Sequence, residues 1–168
     1  MIRFFMLYLL SSFSLVYAGD GLVVESNGCI IKSHGVNGFS VMKSDEGVTF
    51  LKYKYKDGRT ENVRVRCKGM TLEDAVSNEY VQEKDGLKFG TGSEPLAKAG
   101  RISGGSWSGV EATYFLDSAC FTTSFEAGKE HVFSINLCGD DDDINEFRKS
   151  FLNLLKHSET HYAEIETK

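Results

Sequence analysis

The chain has 168 residues with 19 basic against 24 acidic side chains, a formal net charge of −5. That length fits one domain with a core of useful size. The acidic balance argues against nucleic acid, whose phosphates call for clustered Lys and Arg, and suits a basic protein partner better.

In chain order, the first element is an export signal. Residues 1–18, MIRFFMLYLLSSFSLVYA, place Arg3 ahead of an apolar run from Phe4 to Leu10 and end on Val16-Tyr17-Ala18, which suits signal peptidase cleavage after Ala18. The run is shorter than the roughly 20 residues of a membrane-spanning helix, and no later segment is apolar enough to embed the chain. Cleavage removes Arg3 and no acid, so residues 19–168 carry a net charge of −6. All four cysteines, Cys29, Cys67, Cys120 and Cys138, lie in this exported part. An even number in an oxidising compartment predicts two disulfides, and the absence of any CxxC pair argues against zinc and dithiol redox sites.

Short alternating runs follow. Residues 21–25 and 29–33 are candidate strands around the turn-forming pair Asn27-Gly28, and 39–43 is another. In TFLKYKY, Thr49, Leu51, Tyr53 and Tyr55 share one face while Phe50, Lys52 and Lys54 share the other. Asp57-Gly58 turns the chain, and the return strand sets Val63, Val65 and Cys67 on one face. The period then changes. Thr71 can cap a helix with Glu73 and Asp74 in its first turn, and Leu72, Ala75, Val76 and Tyr80 form its apolar stripe. After Asp85-Gly86 comes a short strand at Leu87–Phe89, then a glycine- and serine-rich loop over 90–109 around Pro95, the only proline.

Residues 109–125 and 130–138 form a second long hairpin. Its expected register faces Phe125 to Phe133 and Phe121 to Leu137, with Cys120 opposite Cys138. These placements predict the pairings Cys120–Cys138 and Cys29–Cys67. From Asp140 onward Ile144, Phe147, Phe151, Leu154 and Leu155 recur at helical spacing, and the polar tail SETHYAEIETK is expected to fray. The whole reads as one α+β domain: a mostly antiparallel β-sheet with two principal helices, over about 71–84 and 141–156.

Catalytic motifs fail on inspection. In GGSWSG neither Ser106 nor Ser108 has glycine both two before and two after it, and a strand follows, so this is no nucleophile elbow. His157 and His161 lack the neighbouring glutamate of a zinc protease. The acids Asp140, Asp141, Asp142 and Asp143 are consecutive, whereas a calcium loop spaces its ligands at alternate positions. They fit a helix N-terminus, and a calcium site or an acidic contact for a basic partner stays as an alternative. Trp107, Arg101 and Lys98 lie in the long loop, and Trp and Arg are frequent interface anchors. Trp107 either contacts a partner or folds back over the sheet.

The order of strands, the helix TLEDAVSNEYVQEK, a strand, a glycine-rich loop, WSGVEATYF, HVFSINL and the terminal helix DINEFRKSFLNLL resembles the PsbP/DcrB-like α/β/α sandwich superfamily over residues 48–155. That resemblance implies an antiparallel sheet flanked by helices and a protein-binding role, since exported bacterial members include adaptors and toxin-neutralising factors. It carries over no catalytic residue. The function expected is therefore an exported, non-enzymatic protein-binding domain without a cofactor, most concretely a periplasmic inhibitor or immunity protein that blocks a basic toxin or enzyme. Its candidate contacts are Trp107, Arg101, Lys98, Asp140, Asp141 and Asp142. The alternatives are an envelope hydrolase that brings together groups such as Ser106, Ser108, His131, His157 and the Asp140–Asp143 run, or a calcium- or small-ligand-binding protein.

Overall fold

A computed structural model describes residues 21–34, 37–44, 48–90 and 97–163. The expected export signal with its expected cut after Ala18, and Pro95, lie outside the described residues. The elements run β1 Leu22–Ser26, β2 Cys29–Ser33, β3 Phe39–Lys43, β4 Thr49–Lys54, β5 Thr60–Lys68, α1 Leu72–Glu79, β6 Tyr80–Glu83, β7 Gly86–Phe89, β8 Ala97–Ser103, β9 Ser108–Phe115, β10 Ala119–Glu126, β11 Val132–Gly139, α2 Asp141–Lys156 and β12 Ser158–Tyr162. They build a nine-stranded antiparallel sheet in the order β3-β4-β5-β11-β10-β9-β8-β7-β6 and a three-stranded sheet β1-β2-β12. The α+β class is as the sequence predicts.

Local chemistry explains most boundaries. Asn27 and Gly28 both have positive φ, 46° and 85°, which closes β1 onto β2 through a tight turn whose twist matches the strands. A side chain at Gly28 would strike the Tyr162 ring at 2.6 Å, so glycine is also required by packing. At α1, the Asp74 amide donates to Thr71 Oγ1 at 3.1 Å and the Thr71 amide donates to the Asp74 carboxylate at 3.3 Å, a reciprocal cap. The β10–β11 register sets Phe125 opposite Phe133, Phe121 opposite Leu137 and Cys120 opposite Cys138, as expected. Both predicted disulfides are present. Cys120–Cys138 crosses the hairpin with Cα atoms 4.0 Å apart, and Cys29–Cys67 ties the small sheet to β5 with Cα atoms 5.7 Å apart. Two such bonds suit an oxidising, extracellular-type compartment.

Three segments depart from the sequence reading. The first helix stops at Glu79, and Tyr80–Glu83 pairs with β7. Tyr80 fits the helical stripe and the strand equally, and the tight turn into Gly86, with φ 126°, decides for the strand. The expected loop over 90–109 contains β8, which pairs with β9 from Ala99↔Ala112 to Ser103↔Ser108. The start of the tail expected to fray, Ser158–Tyr162, forms β12 on the edge of β2. Thr160 Oγ1 donates to the Glu126 carbonyl at 2.7 Å, and the Tyr162 ring stacks on His131.

The main core lies on one face of the large sheet. Ile144, Phe147, Phe151, Leu154 and Leu155 of α2 pack on Leu51, Tyr53, Phe121, Phe125, Phe133 and Ile135. The small sheet extends this cover with Val24, Cys29 and Ile31. Arg148 of α2 clamps the Glu111 carboxylate of β9 through Nε, at 2.7 Å, and through Nη2. On the opposite face a smaller core of Tyr80, Leu87, Val110 and Ala112 is capped by Leu72 and Val76 of α1. Cross-strand register makes the separation firm: Val110 faces Ser124 and Ala112 faces Thr122, while the alternate residues Phe121 and Phe125 point toward α2.

Arg59 pins the β4–β5 turn to the start of α2. Its Nη1 and Nη2 donate to the two Asp143 oxygens, both at 2.7 Å, and its Nε donates to Asp57 at 2.6 Å. Hydrogen bonding to this guanidinium holds both carboxyls below their ordinary value of 3.8. Their contribution to stability is complete above that value and is lost as pH falls through the lowered folded-state values. The melting temperature of Arg59→Gln is therefore expected to lie below wild type near neutrality, with the gap closing from about pH 4 downward. A gap that stays constant into acid would contradict this assignment. Trp107 is 4% exposed and packs on Phe125 with ring centroids 5.8 Å apart. Trp107→Ala is expected to cost roughly 3 to 5 kcal/mol in denaturant unfolding. A loss well under 1 kcal/mol would show that its burial stabilises little.

Candidate binding face

The face of the large sheet turned away from α2, here the outer face, follows from the alternation of each strand. It presents Lys52 and Phe50 of β4, Asn62, Arg64, Arg66 and Lys68 of β5, and Ser134 and Asn136 of β11. Helix α1 has only eight residues and covers this face over β9 and β10, leaving β4 and β5 open. Two distinct features result.

The first is a cleft of about 870 Å³ beside α1. Leu72, Val76, Tyr80 and Leu87 supply its apolar lining, while Arg101, Lys129, Glu73 and Glu126 supply charge of both signs. Glu126 is held in place by the Ser108 amide, which donates to its carboxylate at 2.7 Å. The Tyr80 hydroxyl is buried and has no hydrogen-bond partner among the described residues. Burial, and after it the charge of Glu79, pushes the phenol well above its ordinary range, so it stays protonated and able to donate.

The second is the open cationic field. Lys68 reaches Glu79 of α1 at 3.0 Å. Lys52, Arg64 and Arg66 form no ion pair among the described residues. Arg64, Arg66, Ser134 and Asn136 line a dent of about 290 Å³. Asn136 is steadied by its Nδ2, which donates to the Tyr114 hydroxyl at 2.8 Å.

The residues singled out from sequence do not converge. Arg101 lines the cleft. Trp107 lies in the core with its side chain turned into the protein, which corrects the reading of it as a contact. Lys98 is exposed, but it lies three positions before Arg101, an odd offset along the strand, so it points from the opposite face of β8, beside Lys88. Asp140 occupies the N-cap position of α2 without a side-chain cap hydrogen bond, and Asp141 and Asp142 are exposed in its first turn, on the other side of the sheet. Asp143 is engaged by Arg59.

The groups named for a hydrolase do not all come together. His157 and the aspartates sit at opposite ends of the 16-residue α2, about 24 Å apart. His131 stacks on Tyr162, and Ser106 and Ser108 lie at the β8–β9 turn. Among the described residues no three His, Cys, Asp or Glu side chains are grouped to hold a metal ion.

Leu72, Val76, Lys129, Arg64, Arg66, Ser134 and Asn136 were not expected as site residues. The alternation of Arg64, Arg66 and Lys68 with Val63, Val65 and Cys67 marks one polar and one apolar face. Only the tertiary arrangement shows that the polar face stays open. No family model matches the chain, and comparison with curated proteins returns no match.

Proposed function

We propose that the chain is an exported, non-enzymatic domain that binds a protein partner through the cleft beside α1. The observation that carries this reading is the composition of the cleft: an apolar lining of Leu72, Val76, Tyr80 and Leu87 inside a rim with charges of both signs. Protein interfaces combine an apolar centre with a polar rim in this way, and arginine is frequent among their anchors. The resemblance to the PsbP/DcrB-like superfamily, whose members mostly bind other proteins, points in the same direction. A periplasmic or secreted inhibitor or immunity protein is the most concrete form of the proposal. The rim asks for a partner segment that also carries both charge signs, and the net charge of the whole chain favours a basic partner at long range.

Affinity capture from the exported fraction of the native host tests this reading, with wild type compared against Arg101→Glu and Lys129→Glu. Both side chains are exposed, so melting temperatures should stay unchanged. A partner retained by wild type should bind each variant more weakly by about 1 to 3 kcal/mol. Equal capture by all three proteins, or no specific partner for wild type, would contradict it.

A further inference from the structure

We propose that Arg64, Arg66, Ser134 and Asn136 form a binding site for a tetrahedral oxyanion, the phosphate or sulfate group of a monoester or free ion. The site shares no lining residue with the cleft and does not depend on a partner there.

Placement comes first. Arg66 and Ser134 are direct cross-strand partners, so Arg64 and Asn136, each two residues further along, face one another. Same-face neighbours along a strand are about 6.7 Å apart, and strands are about 4.8 Å apart. Four side chains thus rise from the corners of a small rectangle around the dent. Each guanidinium brings five N–H donors, Ser134 a hydroxyl, and Asn136 the amide proton left over from its bond to Tyr114. A planar carboxylate is satisfied by one guanidinium fork. Donors at four corners match oxygens spread in three dimensions.

Charge supplies the second argument. The chain has more acids than bases, 24 against 19, and elsewhere Arg59 and Arg148 each hold a carboxylate. Arg64 and Arg66 stand side by side without an acid among the described residues, and Lys52 and Lys68 flank them on the same face. Neighbouring like charges repel, and an anion between them removes that cost.

Titration calorimetry and thermal melting with sodium phosphate and sodium sulfate, against sodium chloride at equal ionic strength, test the proposal. Saturable binding and a rise in melting temperature are expected with the tetrahedral anions only, because a ligand that binds the folded form stabilises it. Arg64→Gln/Arg66→Gln should weaken binding about a hundredfold or more, since it removes two charge-assisted donors to the anion. Ser134→Ala should weaken it less, and Arg101→Glu at the cleft should leave it unchanged. A sulfated oligosaccharide and vesicles containing phosphatidic acid serve as further arms. Tighter binding of one of these, lost in the double variant, identifies the ester that the site takes. Equal tightness assigns it to the free ion. No saturable anion binding, or binding that survives the double variant, overturns the proposal.

Discussion

A nine-stranded sheet has two broad faces to keep from water, and among the described residues one long helix is there to cover them. That constraint organises the rest of the molecule. The five buried apolar residues of α2 lie on the central strands, and the small sheet, tied on by Cys29–Cys67, completes the same cover. The result is a deep aromatic layer in which Phe121, Phe125, Phe133, Phe147 and Phe151 are fully buried. For the other face the described residues offer only α1, eight residues long, which packs on β9 and β10 and meets β5 at its end through the Lys68–Glu79 ion pair.

Charge follows the same division. Asp141, Asp142 and Asp143 are grouped in the first turn of α2, where the helix dipole favours them and Arg59 holds one of them. Lys52, Arg64, Arg66 and Lys68 are grouped on the open outer face. An acidic protein thereby presents a basic surface, a distribution that net charge conceals. The cleft lies on the same outer face, between α1 and Arg101, so both candidate sites exist because that face lacks a full cover.

Much of the fold could be read from residue order, for identifiable reasons. The β10–β11 register follows from alternation strong enough to set phenylalanines on one side and Cys120 opposite Cys138 on the other. Helix α2 announces itself through five apolar residues at helical spacing. The elements that escaped lack such a pattern. Tyr80 suits two periods, β8 is built from small and charged residues, and β12 is the polar string SETHY, held by the free edge of β2 rather than by its own apolar face. The sites escaped for a related reason. Arg64 and Arg66 look like ordinary solvated strand residues until the length of α1 shows how much sheet it leaves uncovered. Trp107, conspicuous in sequence, is a core residue.

The central claim is that recognition belongs to the outer face and not to the acidic end of α2. Covalent labelling of lysine and arginine side chains, quantified by mass spectrometry with and without the captured partner, addresses it most directly. The account predicts protection of Arg101 and Lys129, with Lys149 and Lys156 on α2 labelled equally in both states. Protection centred on α2, with Arg101 and Lys129 still reactive, would contradict it.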